Sequence, residues 1–188
     1  MAVIGLTNLH YAIMTTEETT TEEPAYDSAT RLVGINSVSI SPENETATLY
    51  GDNQALATYT STKERTVTFE IARLPLKDQA KLLGYDYDSS TNVMSVNGDA
   101  SAPNVAIMYE LDTDENKKWL YVFYKGKFAP AQEDSNTRGE SLEFGLHSIE
   151  GTFVARIDNS KVYEVKEIDA TDTATTVTSL FDSLTSGN

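Results

Sequence analysis

The residues of this sequence that could support nucleophilic catalysis begin with its two histidines, His10 and His147. A serine nucleophile needs a histidine beside it as its base and a carboxylate that orients the histidine. Gly139-Glu140-Ser141 approaches the nucleophile-elbow pattern, but position 143 is a glutamate where that pattern requires glycine. His147 falls on the polar side of its predicted strand, which is typical of a solvated histidine. The sequence therefore predicts no catalytic residue and no enzyme.

Carboxylates are the only metal-ligand type present in number, because the chain has no cysteine and its two histidines are far apart. Such ligands suit calcium or magnesium. Asp86-Tyr87-Asp88 and Asp112-Thr113-Asp114-Glu115 place carboxylates at alternate positions, but both lack the glycine and terminal glutamate of a calcium loop. We interpret them as solvated turn residues and predict no metal and no other cofactor. Paired carboxylates for glycoside hydrolysis stay open, because that pairing is spatial.

The length, charge and missing motifs of the chain exclude further classes of protein. The 188 residues suit one domain, and 29 acidic against 14 basic residues give a formal net charge of −15. Affinity of the whole surface for DNA or anionic lipid needs the opposite excess. No phosphate-binding glycine loop is present, and no apolar run approaches the roughly 20 residues of a membrane span, so no membrane anchor is expected. The first basic residue is Arg31, so we expect no secretory signal and synthesis in a cytoplasm.

One predicted strand concentrates positive charge in this acidic chain. Its basic residues are Lys117, Lys118, Lys125 and Lys127, and four aromatic residues lie among them: Trp119, Tyr121, Phe123 and Tyr124. Basic residues among aromatics can bind single-stranded nucleic acid by stacking. Lysines also flank buried strands, where they guard against misassociation. A third interpretation makes the four lysines candidate subunit contacts that meet the acidic surface of an identical neighbour.

Two other predicted strands have one wholly polar side. In residues 64–73 that side consists of Glu64, Thr66, Thr68 and Glu70. In residues 34–41 it consists of Ser37, Ser39 and Ser41. The opposite sides are apolar, as expected of half-buried strands, and Pro42 is expected to end the second strand.

Turn and helix signals separate the remaining elements. Gly51-Asp52-Asn53 predicts a hairpin between two β-rich runs. Residues 119–128 begin apolar on both sides, which indicates a central strand that is covered on both faces. Residues 76–83 change to helical spacing, between Pro75 and Gly84, and predict the one short helix.

These elements predict a mainly β chain. We expect an antiparallel β-sandwich or open barrel of about eight to nine strands, with one short helix at about 76–83 packed against it. Residues 1–160 form this β domain, and residues 161–188 form a C-terminal arm or tail. Residues 15–24, which are almost wholly Thr and Glu, are expected to form a mobile loop within the domain.

The sequence resembles a known family: the major tail protein, or tail tube subunit, of long-tailed, non-contractile (siphovirus-type) bacteriophages. The likeness covers residues 3–155 and lies in the order and spacing of short segments. These segments are Ile4-Gly5-Leu6 with Leu9-His10-Tyr11-Ala12, Val38-Ser39-Ile40-Ser41-Pro42, Leu49-Tyr50-Gly51-Asp52, Phe69-Glu70-Ile71-Ala72-Arg73-Leu74-Pro75, Leu83-Gly84-Tyr85 and Trp119-Leu120-Tyr121.

The resemblance implies a structural virion protein. Six subunits would form a ring, stacked rings would form a hollow tail tube, and inner strands from all six would close into one barrel. The tube would enclose the tape-measure protein, meet tail terminator and distal tail proteins at its ends, and conduct genomic DNA during ejection without binding it specifically. We hypothesise that the two polar strand sides line the lumen, because carboxylates and hydroxyls do not hold phosphates as lysines do.

The resemblance leaves one alternative from another class. A soluble β-sandwich binding module on a phage particle, carbohydrate-binding or adhesin-like, would present exposed aromatic residues on one face and would stay monomeric.

Overall fold

Eleven strands and one helix make up the regular structure of the residues that this computed structural model describes, which are 2–52, 54–130, 146–171 and 179. The elements are β1 (Val3–Thr16), β2 (Ala25–Tyr26), β3 (Thr30–Arg31), β4 (Ile35–Gly51), β5 (Gln54–Ile71), α1 (Leu76–Leu83), β6 (Asp86–Asp88), β7 (Val93–Ser95), β8 (Val105–Thr113), β9 (Lys117–Ala129), β10 (His147–Val154) and β11 (Tyr163–Asp169).

Nine of these strands form one antiparallel sheet. Its main order is β2-β1-β8-β9-β10-β5-β4, with β3 paired to β1 and β11 paired to β9, while β6 and β7 form a separate hairpin. The sheet is not closed, although β1 and β4 touch each other from near its two ends. The strands therefore curve around a common interior, and the predicted mainly β, sandwich-like fold with one flanking helix is confirmed.

The hairpin predicted at Gly51-Asp52-Asn53 is present, and it is longer than expected. β4 and β5 pair over their whole lengths, and Asp52 takes the positive φ of 49° that the turn requires. The prediction that Pro42 ends the strand at residues 34–41 is wrong, because β4 runs through Pro42 to Gly51. β4 is the last strand of the sheet, and an edge strand tolerates the missing N–H of proline.

Two hydrophobic clusters cover opposite sides of the central strands. The main cluster takes Val105, Ile107 and Tyr109 from β8, and the smaller cluster takes the alternating residues Ala106 and Met108. β9 contributes to both clusters, which confirms that it is a central strand.

Aromatic packing fills the main cluster. The rings of Phe123 and Phe153 lie 5.0 Å apart, and a Cβ added to Gly126 would come within 2.4 Å of the Phe153 ring. Glycine at position 126 therefore lets this ring lie directly on the backbone of β9.

The helix α1 has the predicted bounds, from Leu76 after Pro75 to Leu83 before Gly84. Gly84 adopts the left-handed conformation, with φ 70° and ψ 32°, as the predicted cap requires. Leu82 and Leu83 pack into the main cluster, so the helix covers part of the interior that the sheet curves around.

The segment assigned to a C-terminal arm contains a strand that sequence reasoning did not identify. β11 pairs with β9 from Tyr163 opposite Phe123 to Asp169 opposite Lys117. Residues 172–178 and 180–188, and the serine candidate Ser141, lie outside the described residues.

Candidate assembly surfaces

The two polar strand sides predicted from the sequence lie on one continuous surface. β4 and β5 pair Ser37 with Glu70, Ser39 with Thr68, and Ser41 with Thr66. Directly paired residues in antiparallel strands point to the same side of a sheet. All seven candidate lumen-facing residues, including Glu64, are exposed or half-buried.

The next two strands extend this surface. β10 places Ser148, Glu150 and Thr152 opposite β5, and β9 places Lys127 opposite Thr152. We call the combined surface the polar face. Its polar residues are Ser37, Ser39, Ser41 and Glu43 on β4, Glu64, Thr66, Thr68 and Glu70 on β5, Ser148, Glu150 and Thr152 on β10, and Lys127 on β9. Two exposed apolar residues lie on the same side: Val154, opposite Glu64, and Ala129, opposite Glu150.

Carboxylates dominate the charge of the polar face, with four glutamates and one lysine. Glu43 and Glu64 stand directly opposite each other, an arrangement of like charges that destabilises a strand pair. Glu70 is instead satisfied within the subunit, because the Ser37 hydroxyl donates to its Oε2 at 2.7 Å.

Three of the four candidate contact lysines already have acidic partners within the same chain. Lys117 Nζ lies 2.5 Å from Glu167 Oε1, on the neighbouring strand β11. Lys118 Nζ lies 3.1 Å from Glu110 Oε2. Their contact with an identical neighbour would have to compete with these internal partners.

Lys125 is the third internally paired lysine, and Lys127 differs from all three. Lys125 Nζ lies 2.7 Å from Glu18 Oε1. Lys127 is exposed on the polar face, and no acidic side chain of the described residues forms an ion pair with it. Of the four candidates, Lys127 is therefore the one whose charge is available to another copy.

The surface changes character immediately beyond Lys127. At a bulge in β9, Tyr124 and Lys125 both stand opposite Ala106, because the register passes from Val105–Gly126 to Ile107–Phe123. From that point the centre of the same side, on β8 and β9, is apolar and buried, and charged residues such as Glu164 and Lys166 lie around it on β11. The buried residues are those of the smaller cluster: Ala12, Ala106, Met108, Leu120, Val122, Tyr124 and Ile168. The polar face therefore spans only β4, β5, β10 and the end of β9.

The β4–β5 hairpin continues past the sheet as a two-stranded arm. Pairing of β5 with β10 ends at Glu64 opposite Val154, whereas β4 and β5 stay paired to their tip. We call residues 44–52 and 54–62 the arm; Asn53, the last residue of the predicted turn, lies outside the described residues. The arm's large apolar side chains are between 64% and 70% exposed, and they are Leu49, Tyr50, Leu56 and Tyr59. Isolated two-stranded hairpins are marginally stable in water, and apolar patches of this kind mark interaction surfaces.

The predicted mobile loop contains a buried carboxylate that sequence reasoning missed. The Glu18 side chain is fully buried, and its Oε1 accepts hydrogen bonds from Lys125 Nζ at 2.7 Å and from Ile157 N–H at 3.2 Å. Burial alone would raise the pKa of this carboxyl, but the bonds from Lys125 and Ile157 outweigh it and lower the pKa below its usual value. One glutamate within a Thr/Glu run gives no sequence signal for burial.

The histidine candidates do not assemble into a catalytic arrangement in the described residues. His10 is buried, and its Nδ1 donates to the Asn8 carbonyl at 2.8 Å, while His147 is exposed at the start of β10. Among the residues that the structure describes, no cluster of three or more acidic or histidine side chains could hold a metal ion. No helix within the same residues is long and apolar enough to cross a membrane.

The acidic turn at Asp88 is stabilised locally. Hydrogen bonds from the hydroxyls of Ser90 and Thr91 and from the Ser90 N–H lower the pKa of Asp88 to about 2. These bonds occupy the Asp88 carboxylate within its own loop.

Comparison with known proteins identifies a family that this chain is similar to. A search of the curated proteins finds no match to the chain. A protein-family model described as "Phage tail tube protein" matches residues 1–142.

Proposed function

The chain belongs to the phage tail tube protein family, and we propose that six copies form a ring and that the rings stack into the hollow tail tube of a long-tailed, non-contractile phage. The tube encloses the tape-measure protein and conducts the genome during ejection. Its ends meet tail terminator and distal tail proteins. In this role the chain is a structural virion component without catalytic activity or cofactor.

The observation that carries the proposal is the exposed arm. Its four large apolar side chains would cost free energy in a permanent monomer, because about 25 cal/mol is gained for each Å² of apolar surface removed from water. A tube supplies the cover, since head-to-tail association repeats one pair of complementary surfaces in every subunit. Contact of each arm with another copy would thus stabilise both the hairpin and the polymer.

We further propose that the polar face lines the lumen. A lumen rich in lysine would bind phosphates and release their counterions, and so would retain the DNA. The polar face instead presents hydroxyls and four carboxylates with one lysine. On its other side the face is backed by the aromatic packing of the main cluster. DNA would therefore pass along it without being held.

Electron microscopy of the purified protein tests this function, both alone and with a co-expressed distal tail protein as initiator. We expect tubes or six-fold rings, and a matching increase of mass in light scattering as the concentration rises. A protein that stays monomeric under both conditions contradicts the proposal. If that monomer bound an oligosaccharide through the exposed tyrosines of the arm, the binding-module alternative would be supported instead.

A further inference from the structure

We propose that the segment of residues 177–184 binds the inner side of its own sheet beside β11, where it covers a row of partly exposed aromatic and aliphatic side chains. This contact lies within one copy, so it does not depend on tube formation. It gives the C-terminal segment a role that the tube leaves unexplained.

One end of the sheet has an apolar inner side that extends beyond the main cluster. Leu6 is paired with Leu111, and Leu111 with Trp119, so these side chains point to the same side of the sheet. Tyr121 is paired with Val165 of β11 in the same way. We call this region the inner apolar surface. Its residues are Leu6, Leu111, Trp119, Tyr121, Tyr163 and Val165, of which Leu6, Leu111, Tyr121 and Tyr163 pack against the main cluster.

The side chains of the inner apolar surface are only partly covered. Tyr109 and Phe123, which continue the surface into the interior, are completely buried. Trp119 and Tyr121 are half-buried, and Val165 is 45% exposed. Apolar side chains that stay exposed together mark interaction surfaces. The end of the sheet at β11 is therefore a surface that a further segment can cover.

A buried donor beside this surface has no acceptor. The Arg65 Cζ atom lies 5.0 Å from the centre of the Tyr163 ring. The Arg65 Nε atom is buried, and it has no hydrogen-bond partner within the part of the chain that the structure describes. Since buried polar groups are almost always hydrogen-bonded, this donor also indicates that a polar or acidic segment lies against the surface.

The sequence after β11 contains one segment that fits. Val177, Leu180, Phe181 and Leu184 are spaced i, i+3, i+4 and i+7, which predicts a helix with one apolar side. Ser179 is the one described residue beyond position 171, and it is helical. A helix of about two turns is unstable alone in water and depends on packing of its apolar side. The segment thus needs a surface, as the surface needs a cover.

The chain can reach this surface directly. β11 forms one side of the surface and ends at Asp169. Asp169 and Tyr163 are six positions apart on the strand, so the way back to Tyr163 is about 20 Å. The eight positions from Asp169 to Val177 span up to about 26 Å when extended. The connection is therefore long enough for the segment to fold back over its own sheet.

The charge of the segment suits the same place. No basic residue follows Lys166, and the sequence beyond β11 carries Asp172 and Asp182. Arg65 is the charged side chain that stacks on the surface, at the Tyr163 ring. Opposite charges attract, most strongly where water is partly excluded, so a segment with only negative charges approaches Arg65 favourably.

Disulfide cross-linking in the unassembled full chain tests the contact, because the chain has no native cysteine. Val165→Cys is combined in turn with Val177→Cys, Leu180→Cys and Leu184→Cys, and the protein is oxidised at low concentration. A disulfide requires Cα atoms within roughly 7 Å of each other. We expect at least one pair to form an intrachain disulfide, which is seen as faster migration in a non-reducing gel.

The matched control replaces Val165→Cys with Lys166→Cys, at the next residue of β11, whose side chain points to the opposite side of the sheet. We expect no cross-link from it. Equal cross-linking from Lys166→Cys, or none from any Val165→Cys pair, would overturn the contact. Disulfides between two copies only would show that the segment covers another copy and would overturn binding to its own sheet. Each of these results leaves the tube untouched.

Fluorescence of Trp119, the only tryptophan of the chain, provides a second readout that needs no cysteine. Phe181→Ser with Leu184→Ser should uncover the indole, so acrylamide should quench its emission about twofold more strongly than in the wild type. Thr175→Ala with Ser179→Ala, on the opposite side of the predicted helix, should leave the quenching unchanged. Wild-type quenching in the Phe181→Ser, Leu184→Ser chain would contradict the contact even if a cysteine variant failed to fold.

Discussion

Lys125 Nζ and Glu18 Oε1 lie 2.7 Å apart, although 107 positions separate the two residues in the sequence. The ion pair joins the loop after β1 to β9 at the bulge where the polar face ends. Breaking a buried ion pair is strongly destabilising, because it leaves one uncompensated charge inside the protein. This contact therefore ties the loop to β9 at the point where the polar face ends.

Glu18→Gln should lower the free energy of unfolding by roughly 3 kcal/mol, because Lys125 would remain largely buried without a counter-ion. The measurement is urea denaturation of the monomeric protein at pH 7. Glu22→Gln is the matched control, since Glu22 is an exposed glutamate of the same loop. It should change the free energy by less than about 0.5 kcal/mol.

Hydrogen exchange on the same two variants tests the mobility predicted for residues 15–24. Amides of residues 19–23 should exchange rapidly in the wild type, and fast exchange should extend to residue 18 and its neighbours in Glu18→Gln only. Strong protection throughout the wild-type loop would contradict its mobility. Equal destabilisation by both variants would contradict the role of the ion pair.

The stabilisation from Glu18 should depend on pH in a defined direction. Its carboxyl has a lower pKa in the folded chain than in the unfolded chain, where the value is about 4.3. The contribution is therefore complete above that value and is lost as the pH falls towards the folded pKa. The stability difference between wild type and Glu18→Gln should be constant from pH 7 to about 5.5 and should shrink below about pH 4.3. A difference that persisted unchanged to pH 3 would exclude this linkage.

Gly84→Ala should destabilise the junction between α1 and the chain that follows it. The new Cβ would lie 2.2 Å from the Ser101 carbonyl oxygen, at a residue with φ of 70°. Left-handed strain alone costs about 1–3 kcal/mol, so we expect the melting temperature to fall by about 5 °C or more. Gly98→Ala is the control, because no atom lies within 4 Å of its added Cβ. Similar melting temperatures for the two variants would contradict the described close approach.

Polar substitution on the arm should impair assembly but leave the subunit folded. Tyr59 and Leu49 are largely exposed in one copy, so Leu49→Ser with Tyr59→Ser should change the monomer's melting temperature little. Tube yield in electron micrographs and in sedimentation should fall at least tenfold, because the apolar contact with another copy is lost. Val93→Ser, which alters an exposed apolar residue on β7, should leave the yield unchanged. Normal tubes from the arm variant would remove the arm from the assembly contacts.

Local patterns predicted the elements whose residues interact mainly with near neighbours in sequence. Alternation identified the polar and apolar sides of β5, and helical spacing between Pro75 and Gly84 identified α1. The turn at Asp52 identified the hairpin. These features depend on backbone preferences and periodicity, which a single sequence carries directly.

Long-range pairing was not predictable in the same way. β11 lies in a polar segment whose pairing with β9 depends on Tyr163 and Ile168 finding partners about 40 to 50 residues away. Pro42 marked a strand end by its local effect, whereas its tolerance follows from the edge position of β4. Neither fact is encoded in a short window of sequence.

The candidate surfaces show the same contrast between local patterns and long-range pairing. Period-two alternation correctly grouped the residues within β4 and within β5, and the register between them then joined Ser39 to Thr68. The lysines of β9 shared a local pattern, but their partners Glu18, Glu110 and Glu167 come from three separate elements. Only the structure distinguishes Lys127 from the rest.

A cryo-electron microscopy reconstruction of the assembled tube tests the central claim most directly. The account predicts a six-fold ring whose inner wall carries Ser39, Thr68 and Glu150. A reconstruction with this polar face on the outside of the tube, or with a lumen lined by lysines, would contradict it.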